Sequence, residues 1–154
     1  MPGPNETSER LDQLKEGLRR AGVKLTHQRL EICREIASAN NHPDAEAVYG
    51  GVRERVPTIS LDTVYRTLWT LLDLGLISTL GIPRGSVRFD GNTAPHHHFV
   101  CTRCGRASDF YSADFDQLRM PEEVQALGVP HKTQVEVRGI CLPCSGKAKA
   151  SQNA

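Results

Sequence analysis

The segment DGNTAPHHHFVCTRCGRASD, residues 90–109, decides how the rest of this 154-residue chain is interpreted. It holds three histidines, two cysteines and two flanking carboxylates, a mixture for which a core strand or a plain linker has little use. Cys101 and Cys104 form a C-x-x-C pair, and Cys141 and Cys144 repeat that spacing further along the chain. Four thiolates in two such pairs are typical of tetrahedral Zn²⁺ in a closed structural site.

A second, chemically different metal site is predicted in the same segment. His96 and His98 alternate, so in an extended chain both imidazoles point to the same side, and His97 points to the other. Asp90 and Asp109 flank the histidines and offer oxygen ligands. These residues predict a second metal site made of nitrogen and oxygen atoms, which are harder ligands than the four cysteine sulfurs.

Composition indicates one ordinary domain or two small ones. The net charge is +1, so the chain is not a bulk polycation. No apolar run approaches the ~18–20 residues of a membrane span, and the polar N-terminus does not resemble a signal peptide. We therefore expect a cytoplasmic protein without a membrane partner, in which paired cysteines bind metal rather than form disulfides. Cys33 is left over and is expected in the core.

The first 90 residues carry the periodicity of four helices followed by two short strands. The predicted helices are 8–21, 26–39, 44–56 and 60–75, and the predicted strands are 76–80 and 86–90, joined by a turn at 81–85. Gly50 and Gly51 weaken the third helix. Helices closed by a hairpin form the winged helix-turn-helix pattern, in which the fourth helix is the recognition helix.

The outer face of the fourth helix is a candidate for reading DNA. Tyrosine and threonine can contact a thymine methyl group, and arginine can donate two hydrogen bonds to guanine. The same face equally fits a solvated surface with Tyr65 half buried. Basic residues also cluster near the first two helices, where they would bind phosphates. The predicted DNA-binding residues are Arg19, Lys24, Ser60, Thr63, Tyr65 and Arg66.

The composition changes after Asp90. Turn-forming residues at 91–95 predict a hinge between a DNA-binding domain, 1–90, and a metal-binding domain, 96–145. Residues 146–154 are expected to be a flexible tail. Within the second domain we predict strands at 99–101, 106–111 and 132–140 and a helix at 114–127, interrupted or restarted at Pro121. A sheet this small is marginal alone and needs zinc, a partner subunit, or both. The expected fold class is α+β.

The segments LRRAGVKLTHQRLEI, HPDAEAVY, TISLDTVYRTLWTLLDLGLI and HHHFVCTRCG, with a later CLPC, resemble the ferric uptake regulator (Fur) superfamily. The resemblance covers nearly the whole chain. It implies a homodimeric, metal-dependent transcriptional repressor rather than an enzyme. It also implies that the N-terminal winged helix binds operator DNA and that the C-terminal α+β domain dimerises.

The resemblance further implies the ligands of a regulatory metal, Fe²⁺ or Mn²⁺, beside the structural Zn²⁺. These ligands are His42, Asp90, His96, His98 and Asp109. Aspartate at both carboxylate positions is similar to the peroxide-responsive branch (PerR), whereas iron-uptake regulators typically place glutamate there. The branch implies that peroxide and bound Fe²⁺ together oxidise His42 or His96, and that the oxidised protein releases DNA.

Other function classes stay open at this point. A metalloenzyme would also use two histidines and a carboxylate, although the chain shows no H-E-x-x-H motif. A structural zinc module that binds another protein explains the cysteines but not the histidines. Within the family, the alternative is an iron-uptake repressor that does not sense peroxide. The sequence assigns no role to Cys33, His97 or His131.

Overall fold

The computed structural model describes residues 3–81 and 87–146, and the chain divides into two compact units, Met1–Thr93 and Ala94–Ala154. Helices dominate the first unit and a three-stranded sheet the second, so the fold class is α+β as predicted. In the described parts of the chain, no helix is long and apolar enough to cross a membrane. The division falls inside the segment predicted as a hinge, 91–95, and the hinge itself stays a prediction.

The first unit contains four helices and an antiparallel hairpin. The elements are α1 Pro4–Arg20, α2 His27–Ser38, α3 Ala45–Arg53, α4 Leu61–Asp73, β1 Ser78–Leu80 and β2 Arg88–Asp90. Helix α1 begins earlier than predicted because Pro4 stands at its first turn, where the fixed φ of proline suits a helix. Most of the predicted turn 81–85 and the start of the predicted strand 86–90 lie outside the described residues.

Side-chain caps begin the next three helices. The side-chain oxygens of Thr26, Asp44 and Ser60 accept backbone N–H groups three residues on, at 3.3, 2.8 and 3.1 Å. Each bond satisfies a donor that has no partner inside the helix. The two caps predicted from sequence, Thr26 and Ser60, are confirmed.

Helix α3 is continuous through Gly50 and Gly51, although two glycines lower helix propensity. It ends at Arg53 rather than at the predicted Val56. Pro57 excludes the last predicted residue, because a proline disfavours helical backbone at the residue before it, here Val56.

The apolar core of the first unit lies between these four helices and the hairpin. It includes Leu18, Ile32, Ile36, Val48, Val52, Val64, Leu68, Leu71 and Phe89. Cys33 belongs to this core, as predicted, and burial raises the pKa of its thiol to about 11. Cys33 is therefore a neutral packing residue at physiological pH.

The second unit is built on a central strand. Its elements are β3 His97–Cys101, β4 Ala107–Phe110, α5 Ala113–Asp116, α6 Glu122–Leu127, β5 Glu136–Gly139 and α7 Leu142–Ser145. Strand β3 pairs with β4 in antiparallel and with β5 in parallel orientation. The predicted helix 114–127 is two short helices, with Pro121 at the N-cap of the second. The predicted strand 132–140 is shorter, and Val137 remains 39% exposed on this edge strand.

The second unit has a small apolar core within its described residues. Its buried apolar side chains are Val100, Cys101 and Ala107, and the other fully buried side chains are the three consecutive histidines 96–98. A segment with so little buried apolar surface gains too little from packing to be stable alone. Metal ligation supplies folding free energy in such domains.

Candidate metal centres and nucleic-acid interface

The four paired cysteines come together in the second unit. Their Sγ atoms all lie within 4.8 Å of one another, and the sulfurs of Cys104 and Cys141 are 3.7 Å apart. Sulfurs at the corners of a zinc tetrahedron, each ~2.3 Å from the ion, are ~3.8 Å apart. The donor set and its spacing therefore fit a structural Zn²⁺, as the sequence predicts.

Local backbone geometry places the first cysteine pair. The turn after β3 ends at Gly105, whose φ of +74° is a left-handed conformation that glycine adopts without strain. Its N–H donates to the carbonyl of Cys101 at 2.9 Å, which folds Cys104 back toward Cys101. A second tie comes from Arg103, whose Nη1 donates to the carbonyl of Cys144 at 2.6 Å. That bond holds the two cysteine pairs against each other.

Hydrogen bonds to sulfur favour a thiolate in this cluster. The backbone N–H groups of Cys104 and Cys141 point at the Sγ of Cys101 and lower the pKa of that thiol to about 6. The neighbouring sulfurs of Cys141 and Cys104 raise the pKa of Cys144 to about 12. Four thiolates this close repel one another, so all four ionise only around a cation.

Two histidines and an aspartate converge on the opposite side of β3 from His97. The Nε2 atoms of His96 and His98 lie 3.1 Å apart. Oδ1 of Asp109 is 3.4 Å from Nε2 of His98 and 3.8 Å from Nε2 of His96. Two nitrogens and one carboxylate oxygen at these separations fit one face of a metal coordination sphere, and such a face suits Fe²⁺ and related ions.

A hydrogen bond prepares His96 for a metal. Its Nδ1 lies 2.7 Å from the carbonyl oxygen of Ala94 and donates its proton there. The lone pair of the neutral ring then sits on Nε2, the atom that faces His98. Ligand histidines in metal sites are typically oriented by a bond of this kind.

His42 and Asp90 form a pair within the first unit. Nε2 of His42 is 3.9 Å from Oδ2 of Asp90, and both residues are buried. Oδ1 of Asp90 accepts the N–H of Asn92 at 2.9 Å, which fixes the rotation of the carboxylate. This pair contains an imidazole nitrogen and a carboxylate oxygen, the two ligand types found at His96, His98 and Asp109.

The turn before α3 brings His42 beside the end of β2. The carbonyl of Pro43 accepts the N–H of Phe89 at 2.9 Å, and the backbones of Asp44 and Arg88 pair in an isolated antiparallel β-bridge. His42 itself has a φ of +51°, a region that non-glycine residues seldom occupy. Strain of this kind is concentrated at functional sites. The short link to β2 holds the strained turn in place.

His97 makes contacts that the sequence did not predict. It points away from His96 and His98, as expected, and its Nε2 lies 3.1 Å from Oδ1 of Asp116. Its Nδ1 accepts the N–H of Val135 at 3.1 Å. The H-x-H spacing predicts the direction of His97, but no sequence pattern links it to Asp116.

The predicted DNA-binding residues are all in the first unit. Arg66 is 80% exposed on α4 and pairs with Asp62 at 2.9 Å. Arg19 is similarly exposed and is held by Glu16 at 2.8 Å. Tyr65 is 39% exposed. The other three are Lys24, which is exposed, Thr63, which is partly buried, and Ser60, which is exposed and caps α4.

Comparisons with known proteins agree with the fold and identify the family. The model of the ferric uptake regulator family matches residues 20–135. The peroxide-responsive repressor PerR of Staphylococcus epidermidis is 35% identical over 128 residues, which are 82% of this chain and 85% of the repressor.

Solved structures of two regulators share the fold. The ferric uptake regulator from Pseudomonas aeruginosa, solved with manganese, is 28% identical, with a TM-score of 0.67 over 82% of this chain and 96% of the regulator. The Campylobacter jejuni peroxide stress regulator is 26% identical, with a TM-score of 0.65 over 85% of this chain and 95% of the regulator. The chain therefore belongs to the ferric uptake regulator family.

Proposed function

We propose that the chain is a homodimeric transcriptional repressor that binds operator DNA when a regulatory metal ion is bound and senses hydrogen peroxide through that metal. The cluster of His96, His98 and Asp109 carries the proposal. Its two imidazoles are buried beside a partly buried carboxylate, and apolar side chains would stabilise the fold better at these positions than such a polar group does. Family membership supplies the regulatory role.

The regulatory ion takes five ligands in this account: His42 and Asp90 from the first unit, and His96, His98 and Asp109 from the second. Neither group alone offers a full coordination sphere. Three imidazoles and two carboxylates suit Fe²⁺ or Mn²⁺, although Zn²⁺ competes on affinity. The two carboxylates neutralise the charge of a divalent ion.

The ion acts as a clamp because its ligands lie on both sides of the segment 91–95. Holding both groups fixes the angle between the two domains and, in a dimer, the spacing of the two α4 helices. Half-sites on DNA must be met at a fixed helical spacing, so one closed arrangement binds both. The ion can favour that arrangement only by binding it more tightly than the open ones.

Aspartate at positions 90 and 109 and the 35% identity to a peroxide-responsive repressor support the sensing step. A bound Fe²⁺ would activate the peroxide beside the imidazoles, and the ring that is oxidised supplies the two electrons. One oxygen atom of hydrogen peroxide is added to a ring carbon of His42 or His96, and the other leaves as water. The oxidised ring is a poorer ligand, so the clamp opens and DNA is released.

We assign the DNA contacts to the first unit. Arg66 and Tyr65 reach base edges from α4, and Ser60 and Thr63 lie at the N-terminus of that helix. Arg19 and Lys24 contact phosphates. The pairing of Arg66 with Asp62 and of Arg19 with Glu16 does not oppose this role, because exposed ion pairs are weak and are readily exchanged for contacts with DNA.

Dimerisation is assigned to the second unit. Strand β5 lies at one edge of the sheet, and several large apolar side chains of this unit are exposed. They are Tyr111, Leu118, Leu127, Val129, Val137, Ile140 and Leu142. Exposed apolar residues in this number are typical of a surface that another subunit covers. A second copy would also protect the edge strand from unwanted pairing.

The test begins with an operator recovered from a random duplex library by selection with the Mn²⁺-loaded protein. The Fe²⁺ and Mn²⁺ forms are then treated with hydrogen peroxide, and DNA binding is followed by fluorescence anisotropy. We expect only the Fe²⁺ form to release DNA, with a mass gain of one oxygen atom on the peptide containing His42 or His96. A metal-dependent binder that keeps DNA in both forms would be an iron-uptake repressor instead. DNA binding that is equally tight with and without either metal would contradict the regulatory proposal.

A further inference from the structure

His97 is held on three sides within the second unit. Its ring is buried, with Phe110 at 5.5 Å and Phe115 at 5.4 Å between ring centroids. Its two nitrogens contact Val135 and Asp116. The side chain therefore joins β3 to β4, to α5 and to the segment that leads into β5.

Both nitrogens of His97 are already in use. Because Nδ1 accepts the N–H of Val135, the proton of the neutral ring sits on Nε2 and is donated to Oδ1 of Asp116. A metal ion would need a free lone pair on a ring nitrogen. The lone pair of Nδ1 accepts the N–H of Val135, and Nε2 carries the proton, so neither nitrogen can bind a metal in this arrangement. His97 therefore has a structural effect on its neighbours rather than a ligand's role.

The neighbours in question are His96 and His98. In an extended segment the direction of residue 97 fixes the direction of 96 and 98, because successive side chains alternate. His96 lies just before β3, and its carbonyl accepts a bond from Nε2 of Gln134 at 3.2 Å. The N–H of His98 donates to the carbonyl of Val135 at 3.1 Å. The two hydrogen bonds of the His97 ring add side-chain contacts to these backbone contacts at the N-terminal end of β3.

We propose that His97 and Asp116 are a positioning pair that holds His96 and His98 in the geometry required by the regulatory metal. Two ligands at right angles, each ~2.1 Å from an ion, lie ~3 Å apart. The Nε2 atoms of His96 and His98 are already 3.1 Å apart. The pair maintains that separation before the ion arrives, so less ordering is required on binding. This inference rests on the proposed function of the His96–His98 site.

The test compares three substitutions in the full-length, zinc-loaded protein. Asp116→Ala removes the acceptor, and Asp116→Asn keeps an acceptor oxygen without the charge. Asp114→Ala is the control, because Asp114 is an exposed acid on the same short helix. Each variant is titrated with Mn²⁺ by calorimetry and with Co²⁺ by visible absorption, and zinc content is measured in parallel.

We expect Asp116→Ala to keep one zinc ion per chain but to bind Mn²⁺ up to ~10-fold more weakly, the lower end of the effect of losing a direct partner of a metal ligand, because Asp116 acts on the ligands only through His97. Its Co²⁺ absorption bands should change, because the geometry of the two imidazoles changes. Asp116→Asn should restore most of the affinity, and Asp114→Ala should match the wild type. At saturating Mn²⁺, Asp116→Ala should still bind operator DNA.

Wild-type Mn²⁺ affinity and Co²⁺ bands in Asp116→Ala would overturn the positioning role. So would a further metal ion that the wild type binds and Asp116→Ala loses, because the pair would then be a ligand site. Failure of the proposed function looks different, since the wild-type protein itself would bind Mn²⁺ without any change in DNA binding. His97→Phe checks the positioning role independently, because phenylalanine keeps the contacts with Phe110 and Phe115 but removes both hydrogen bonds. Its Mn²⁺ affinity and Co²⁺ bands should change as they do in Asp116→Ala, and wild-type values would overturn the positioning role.

Discussion

His98 and Asp109 are directly opposite each other on the antiparallel strands β3 and β4, with Nε2 and Oδ1 3.4 Å apart. Opposite residues of an antiparallel pair project to the same face of the sheet. A shift of the pairing by one residue would move Asp109 to the face occupied by His97. The register of two short strands therefore determines whether a metal-ligand cluster exists at all.

The first prediction concerns the structural zinc. Cys141→Ser removes one of four sulfurs and should abolish zinc binding, and with it the folding or the dimerisation of the second unit, because metal binding contributes folding free energy. Zinc content by atomic emission and mass by light scattering test this. Cys33→Ala is the matched control, since Cys33 lies in the core of the first unit and should leave zinc content unchanged. A stable dimer without zinc in Cys141→Ser would refute the assignment.

The second prediction separates base contacts from phosphate contacts. Arg66→Ala should weaken operator binding by ~1–3 kcal/mol and reduce discrimination against altered operators, if its guanidinium contacts a guanine. Arg19→Ala and Lys24→Ala should weaken binding to all duplexes and lower its dependence on salt. Anisotropy titrations with operator and scrambled duplexes at several salt concentrations measure both. Equal losses on the two duplexes in Arg66→Ala would argue against base readout.

The third prediction uses the two glycines of α3. A Cβ at Gly50 would meet nothing within 4 Å, so Gly50→Ala should raise the free energy of unfolding by ~0.5–1 kcal/mol. A Cβ at Gly51 would lie 2.1 Å from Oε1 of Glu35, whose Oε2 accepts a bond from Arg55. Gly51→Ala must displace that carboxylate and should give no gain. Equal stabilisation of the two variants in chemical denaturation would show that the contact with Glu35 has no energetic weight.

The fourth prediction concerns a buried ion pair in the first unit. Hydrogen bonding from Arg55 and the nearby charge of Arg34 lower the pKa of Glu31, which is buried in α2. A carboxyl group with a lowered folded-state pKa stabilises the fold above its unfolded pKa, near 4.3, and the contribution is lost as the pH falls through the folded value. Glu31→Gln should therefore lower the free energy of unfolding by about 1–3 kcal/mol at pH 7. Below about pH 5 the free energy of unfolding of this variant should fall less steeply than that of the wild type.

Glu16→Gln is the control for this pH dependence. Glu16 pairs with Arg19 and Arg20 on an exposed face of α1, and these arginines lower its pKa to about 2. Exposed pairs of this kind contribute little to stability, so the pH profile of Glu16→Gln should stay close to that of the wild type. A Glu31→Gln profile that coincides with the wild-type profile would show that the buried pair does not stabilise the fold.

Local signals made most of the fold predictable. Capping residues together with helical periodicity located α2 and α4, periodicity alone located α3, and paired C-x-x-C spacing located the zinc site. Alternation alone predicted that His96 and His98 share a side. These features depend on residues a few positions apart, so they can be read without knowledge of the fold.

Features that depend on distant contacts were not predictable. The parallel pairing of β3 with β5 and the bond between His97 and Asp116 join residues far apart in sequence. The burial of Glu31 is similar, because its partner Arg55 lies in the turn that follows α3. The strained backbone of His42 also has no sequence signature, since the Asn-Asn-His-Pro turn allows several conformations.

The response of His42→Ala to Mn²⁺ tests the clamp most directly. Wild-type protein, His42→Ala and the control His131→Ala, which alters an exposed histidine outside the proposed ligand set, are titrated with Mn²⁺ in the presence of labelled operator. Zinc content and dimer mass are measured for each. We predict that all three keep zinc and remain dimeric, that wild type and His131→Ala gain DNA binding with Mn²⁺, and that His42→Ala does not. A full Mn²⁺ response in His42→Ala would contradict the clamp.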